Sequence, residues 1–252
     1  MSQYYNPNRS PAYNYGGDKW KLSRSKIDLY LECPKCFYLD NKLGVKRPPG
    51  FPFALNSAVD ELLKKEFDIL REKGETHELI DRYGVDAKPV KHNDLDVWRH
   101  NFQGVQHYHK PTGLWVSGAI DDLWINSKGE YIVVDYKATS KDEEITELNK
   151  DWQEGYKRQM EVYQWLLRQN GYPVSNTGYF VYCNGITDVE RFDAKLEFRI
   201  TLVNHQGDDS WIEPKLAEIK QVLDSNQIPP ADPECDFCAY RKAVNNIIGT
   251  SN

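Results

Sequence analysis

Asp121, Asp135 and Lys137 are the residues of this 252-residue chain whose types and spacing could do chemistry. In YIVVDYKA, residues 131–138, a period of two puts Asp135 and Lys137 on one face and Ile132, Val134 and Tyr136 on the other. A three-residue turn at Ser127-Lys128-Gly129, with glycine in the left-handed position, pairs Asn126 with Glu130. Counting outward from that pair sets Asp121 opposite Asp135. Like charges facing each other weaken a sheet unless a cation lies between them. Carboxylate oxygens suit Mg²⁺ or Mn²⁺, which keep several waters and bind phosphate oxygens. A lysine beside them can polarise an attacking water or steady charge developing on phosphorus. A four-residue turn would slip the register by one and bring Asp122 opposite Asp135 instead. Taken singly, each residue also has a plainer reading as a solvated carboxylate or an exposed ion pair.

The positioning elements follow from periodicity. Ser23 is placed to cap a short helix carrying Ile27, Leu29, Tyr30 and Leu31, ended near Pro34. A second helix is expected over 55–73, with Val59, Leu62, Leu63, Phe67 and Leu70 on one face and Gly74 as its stop. Residues 74–96 are polar and weakly periodic and read as a loop or insertion. Three adjacent antiparallel strands are expected at HYHK, GLWVSGAIDDLWI and YIVVDYKA. A helix over 151–169 places Trp152, Tyr156, Met160, Tyr163 and Leu167 at helical spacing. Strands TGYFVYC and AKLEFRITLV and a helix over 210–226 complete the pattern. The aliphatic-poor start predicts a disordered tail over 1–17, a single domain over 18–242 and a short tail over 243–252.

Four of the five cysteines form two C-x-x-C pairs, Cys33/Cys36 and Cys235/Cys238, the ligand count of a tetrahedral zinc site joining the two ends of the domain. Cys183 reads as a buried strand residue. His107 and His109 share a strand face, where they could touch metal or phosphate or serve as core or solvated histidines.

A formal charge of -6 gives no global attraction to nucleic acid, so any such binding must rest on a local basic surface or on bound cations. Basic residues gather at Lys19, Lys21, Arg24 and Lys26 and at Lys42, Lys46 and Arg47, and some tryptophans could form a base-stacking platform. No apolar run is long enough to span a bilayer and the start lacks the pattern of an export signal, so a cytoplasmic location without membrane association is expected.

Four segments together resemble the PD-(D/E)XK nuclease superfamily, in its RecB-like branch of CRISPR-associated exonucleases and helicase-linked nuclease domains. They are LSRSKIDLYLECPKCFYL, GAIDDLW, IVVDYKA and QMEVYQWLL, and the likeness runs from about Leu22 to Lys242. The resemblance implies an α/β fold with a restriction-endonuclease-like core, a mixed central sheet flanked by helices, and a cysteine metal cluster joining the N- and C-terminal segments. It implies that Asp121 and Asp135 ligate the metal, that the Tyr136 carbonyl adds a ligand and that Lys137 assists the water. Gln159 and Tyr163 match a helix motif that touches substrate or the catalytic lysine. A metal-binding histidine of the branch is replaced by Asp60, either a substitute ligand or an exposed helix residue. IPPADPECDFCAYRKA resembles the segment that helps hold a 4Fe-4S cluster, with one late cysteine missing near Ala243 and Val244 and Cys36 available instead, so 4Fe-4S and Zn²⁺ both stay open. The function so implied is a divalent-metal-dependent DNA nuclease, an exonuclease or an enzyme processing single strands or ends, in repair, recombination or defence. Its partners would be DNA and a helicase or other repair or defence protein. The alternative is a non-catalytic nucleic-acid-binding module that retains the fold.

Overall fold

Alternating apolar residues and a glycine-bearing turn set the hairpin over residues 122–139. The computed structural model describes residues 9–50 and 54–249. In chain order the elements are β1 (Leu22–Ser23), α1 (Arg24–Glu32), α2 (Pro34–Asn41), α3 (Ala54–Lys73), α4 (Glu78–Arg82), β2 (Lys88–Pro89), α5 (Leu95–Arg99) and β3 (Val105–His109). There follow β4 (Leu114–Gly118), β5 (Asp122–Ile125), β6 (Tyr131–Thr139), α6 (Glu154–Gln169), β7 (Thr177–Gly185), β8 (Phe198–Gln206), α7 (Ile212–Asp224) and α8 (Asp236–Ile248).

The chain divides into two compact units, one of Met1–Phe51, Tyr108–Val116 and Trp211–Asn252, the other of Pro52–His107 and Ser117–Ser210. No linker marks this division because the chain passes between the units several times.

The second unit is built on a five-stranded mixed sheet, order β2-β5-β6-β7-β8. Neighbours are antiparallel except β6 and β7, which run parallel and are connected through α6, as a parallel pair requires. The expected turn is present: Asn126 N–H donates to Glu130 O at 3.1 Å, and Gly129 has a φ of 80°. Asp122 therefore pairs with Val134 and Ile125 with Tyr131, the anticipated register. One sheet face carries Trp124, Ile132, Val134, Tyr136, Val181 and Cys183, packed with Leu63 and Phe67 of α3 and with Leu79 and Ile80 of α4. Cys183 is thus a core residue, and burial pushes its thiol up to about 11. The opposite face takes α6. Gly178 in β7 lies against Met160, whose sulfur would stand 2.3 Å from an added Cβ.

Several expectations are corrected. Residues 74–96 are not a plain loop but hold α4, β2 and the start of α5, and Leu79 and Ile80 are fully buried. Their apolar content is low because short elements need few anchors. GLWVSGAIDDLWI is not one strand: β4 and β5 belong to different sheets, and the chain breaks between them at 119–121. Gly118, at the break, faces the Tyr163 ring so closely that an added Cβ would stand 2.7 Å from it. On α3 the buried stripe is Leu63, Phe67 and Arg71, whereas Leu62 is 62% exposed.

The first unit contains α1, α2, α7, α8 and β1, and residues 108–116 of the β3–β4 hairpin, in a sheet ordered β1-β4-β3. Pro34 ends one helix and begins the next, standing at the first position of α2, where no backbone N–H is needed. Of the tail expected over 1–17, residues 1–8 lie outside the described residues, and the remainder makes polar contacts. Arg9 pairs with Asp40 at 3.1 Å, and the Tyr15 hydroxyl donates to Asp224 at 2.6 Å. The tail expected from 243 is helical as far as Ile248. No helix among the described residues is long and apolar enough to cross a membrane.

Candidate active site

All the carboxylates, the lysine and the α6 residues singled out in the sequence belong to the second unit. Asp135 is fully buried in β6, and Lys137, two residues on, points the same way and forms an ion pair with it. Gln159 in α6 binds both, donating from Nε2 to Asp135 Oδ1 at 2.8 Å and accepting from Lys137 Nζ at 3.2 Å. Its amide also donates to the Tyr163 hydroxyl at 3.0 Å. One turn of α6 thus carries both residues of the Q-x-x-x-Y pattern to the strand. The Lys137 ammonium lies 4.4 Å from the centre of the Tyr156 ring, a cation–π contact on the same side.

Asp121 stands just before β5, where the ladder with β6 has ended, and its Oδ2 accepts the Tyr136 backbone N–H at 2.9 Å. The hairpin therefore brings Asp121 beside the Asp135–Tyr136–Lys137 segment. Asp122 has a different fate. It is fully buried on the other face, taking Arg71 Nη2, Arg99 Nη2 at 2.6 Å, the Tyr136 hydroxyl at 2.7 Å and its own Leu123 N–H at 2.8 Å. With its acceptor capacity so used, Asp122 is a structural anion, and Asp121 is the aspartate left near Asp135.

Asp60, on α3, is half-buried and paired with Lys64 at 2.8 Å, and Lys64 Nζ lies 3.7 Å from Asp121 Oδ1. Burial, and then the Asp121 carboxylate, push the Asp60 carboxyl above its ordinary value. Asp60 is therefore held near Asp121, where burial and the neighbouring carboxylate outweigh its pairing with Lys64 and disfavour its charge.

The model of the PD-(D/E)XK nuclease superfamily matches residues 21–243. The chain belongs to the PD-(D/E)XK nuclease superfamily. Among solved structures it is similar to SSO0001 at 21% identity, over 51% of this chain and half the length of that one, with a TM-score of 0.28. Comparison with the curated proteins found no match.

PD-(D/E)XK chemistry is metal-assisted phosphodiester hydrolysis, and the donor set suits a hard divalent cation: Asp121 and Asp135 on the hairpin, the backbone of Tyr136 between Asp135 and Lys137, and Asp60 nearby. The carboxylates are each turned onto a cation or an N–H, so they do not close into one cluster. Among the described residues, the group of metal-ligating side chains that gathers within 4.8 Å is Cys33, Cys36, Cys235 and Cys238.

Those four cysteines come from the α1–α2 corner and the start of α8, joining N- and C-terminal segments of the first unit. Their sulfurs are 3.6 to 3.8 Å apart in the pairs Cys36–Cys238, Cys36–Cys235 and Cys33–Cys238. A tetrahedron of Zn–S bonds of about 2.3 Å has edges of about 3.8 Å, so the four thiols fit one such ion. Arg47 lies against the cluster, its Nη2 3.5 Å from Cys235 Sγ. Burial raises the Cys33 thiol, but backbone N–H groups of Asp232 and Cys36 outweigh it and bring Cys33 down to about 7. Burial and the neighbouring thiols push Cys238 up to about 12.

The basic residues noted in the sequence are largely engaged within the first unit. Lys42 donates to the Leu223 and Ser225 carbonyls, Lys26 to the Lys21 carbonyl, and Arg24 pairs with Asp28. His109 is buried with Nδ1 2.8 Å from Thr112 Oγ1, and His107 meets the Trp165 ring edge-on.

Sequence reasoning missed the buried cations behind the hairpin. Arg71 and Arg99 both pair with Asp68 and Asp122, and Arg99 Nε also donates to the Asp121 carbonyl at 2.9 Å. The signal was available: Arg71 continues the stripe of Leu63 and Phe67 at four-residue spacing, and a charge on an apolar stripe needs a buried partner.

Proposed function

We propose that this chain is a divalent-metal-dependent DNA nuclease of the RecB-like branch, an exonuclease or an enzyme that processes single strands and ends. The observation that carries it is the Asp135–Lys137–Gln159 constellation with Asp121 fixed beside it by the Tyr136 N–H. In this reading Asp121, Asp135 and the Tyr136 carbonyl hold Mg²⁺ or Mn²⁺, with Asp60 as a further ligand where the branch has a histidine. The cation when bound supplies Lewis-acid stabilisation of phosphate charge and acidifies a water.

The remaining work falls to side chains. Lys137 orients the attacking water and offsets negative charge growing on the non-bridging phosphate oxygens. Gln159 holds Lys137 and Asp135 in a fixed relation, so neither must be reorganised as charge develops. Tyr163 steadies the Gln159 amide.

The close sulfur spacing favours a single tetrahedral ion, Zn²⁺, over a 4Fe-4S cubane, whose four irons would hold the thiolates further apart. The RecB-like likeness favours the cubane, and a colourless, zinc-containing protein would decide for zinc. DNA is the partner this reading requires. A cytoplasmic location and a helicase or another repair or defence protein as companion belong to the same proposal.

The test is cleavage of end-labelled single-stranded, double-stranded and flapped DNA with Mn²⁺. Cleavage that disappears in Asp135→Asn is expected. Asp60 in place of histidine favours one other reading, a non-catalytic nucleic-acid-binding module. Binding of DNA without cleavage under Mg²⁺ or Mn²⁺ would support that instead.

A further inference from the structure

A surface pocket of about 610 Å³ opens in the second unit next to Lys137. Its walls are largely apolar and aromatic, with Trp152, Tyr156, Tyr182, Leu55, Val59 and Phe198 among the lining residues. The volume falls within the range of about 300–1,000 Å³ usual for small-molecule sites.

Trp152 is 53% exposed, although α6 offers an apolar side nearby. Its ring stands at 88° to that of Tyr156, with centres 5.8 Å apart. Two rings at right angles make a corner in which a flat aromatic ligand stacks on one face and turns its own edge to the face of the other. Tyr156 also carries the Lys137 ammonium at 4.4 Å, so one lining residue of the pocket touches the lysine proposed to act on phosphate.

Charge narrows the occupant. Asp142, Glu143, Glu144 and Glu147 line an adjoining hollow that shares Trp152, and they would repel a phosphate from that side. An uncharged aromatic group has no such penalty, and Lys141 adds a cation where the two hollows meet.

We infer that the Trp152–Tyr156 pocket is a nucleobase subsite that takes one unstacked, unpaired base of the strand whose phosphate lies at Asp135 and Lys137. This rests on the nuclease reading and deepens it. A base can enter only from a single strand or a frayed end, because extracting it from a duplex costs unpairing and unstacking energy. The pocket thus gives a physical reason for preferring single strands, with stacking rather than hydrogen-bond readout as its means and little dependence on which base is bound.

The test measures binding of a fluorescent oligothymidylate, and of the same backbone with abasic residues, to the full chain without divalent metal. Trp152→Ala should weaken binding of the intact oligonucleotide roughly 5- to 150-fold, the loss of one base stack, and leave the abasic strand unchanged. Trp152→Phe should retain most of the affinity, and Tyr156→Leu provides a second route should Trp152→Ala fail to fold. Equal affinity of wild type for intact and abasic strands, or unchanged affinity of the folded variants, would overturn the subsite. Failure of wild type to cleave DNA with Mn²⁺ would instead sink the nuclease reading, so the two outcomes are separable.

Discussion

The backbone N–H of Tyr136 donates to Asp121 Oδ2 at 2.9 Å, while the hydroxyl of the same tyrosine donates to Asp122 at 2.7 Å. Two adjacent aspartates thus grip one strand residue from its two ends. Asp121 stays half-exposed beside Asp135; Asp122 is buried with two arginines. Identical chemistry in neighbouring positions is sent to opposite faces by the alternation of the strand, Asp121 toward the proposed site and Asp122 into the interior.

The split predicts opposite phenotypes. Asp121→Asn should lower metal-dependent cleavage by at least about 100-fold, since metal ligation stabilises the transition state by several kcal/mol. It should leave thermal stability nearly unchanged. Asp122→Asn leaves Arg71 and Arg99 short of charge in the interior and should cost about 3–5 kcal/mol. At about 2–4 °C per kcal/mol for a chain of this size, Tm should fall by roughly 6–20 °C. Thermal unfolding paired with cleavage rates checks both, and a stable, inactive Asp122→Asn would reverse the assignment.

Tyr136 offers a milder probe of the same network. Removing its hydroxyl in Tyr136→Phe takes one of several donors from buried Asp122, a loss of about 1–3 kcal/mol. Burial and the Asp122 carboxylate hold the phenol well above its ordinary pKa, so it donates throughout the neutral range. Urea unfolding should register the loss, with cleavage per folded molecule unaltered.

How much of this was legible in the sequence differs from residue to residue. The hairpin register was, because Gly129 fixes the turn and a one-residue slip would have turned Val133 and Asp135 to the wrong face. The pairing of the two cysteine motifs was also legible, because ligand spacing is local. The place of β4 was not, since its residues look like a continuation of β5 and only the crowding at Gly118 reveals the break. Nor was the burial of Arg71 and Arg99, because their partners Asp68 and Asp122 come from separate segments that only the fold brings together. Helix α8 does carry Phe237, Tyr240, Val244 and Ile248 at helical spacing, but none of its residues is buried, so the stripe has no counterpart in the core.

Asp60 yields a prediction with a definite sign in pH. Its carboxyl is raised by burial and by Asp121, so the protonated form is favoured by folding. That stability is present below the ordinary carboxylate range and is lost as pH rises through the raised value. Near neutral pH without divalent metal, Asp60→Asn should therefore melt above wild type, whereas at low pH the two should converge. Mn²⁺ should stabilise wild type more than the variant. Melting curves at several pH values decide this, and identical responses would make Asp60 an exposed helix residue with no part in metal binding.

The cysteine cluster should bear on stability more than on chemistry, since it ties α1, α2 and α8 together within the first unit. Cys33→Ser or Cys238→Ser should lose the bound metal and lower Tm, and a strong chelator should do the same to wild type. Metal content by elemental analysis, with the visible spectrum, reads the result. Full stability in the absence of metal would show that four thiols suffice.

The most direct test of the proposed active site is single-turnover cleavage of labelled single-stranded DNA with Mn²⁺, comparing wild type with Lys137→Ala and Gln159→Ala. Loss of the lysine should reduce the rate by about 100- to 1,000-fold, and loss of the glutamine that positions it by a smaller factor, with DNA affinity little changed in either. Lys137→Ala cleaving at the wild-type rate would contradict the active site placed at Asp121, Asp135 and Lys137.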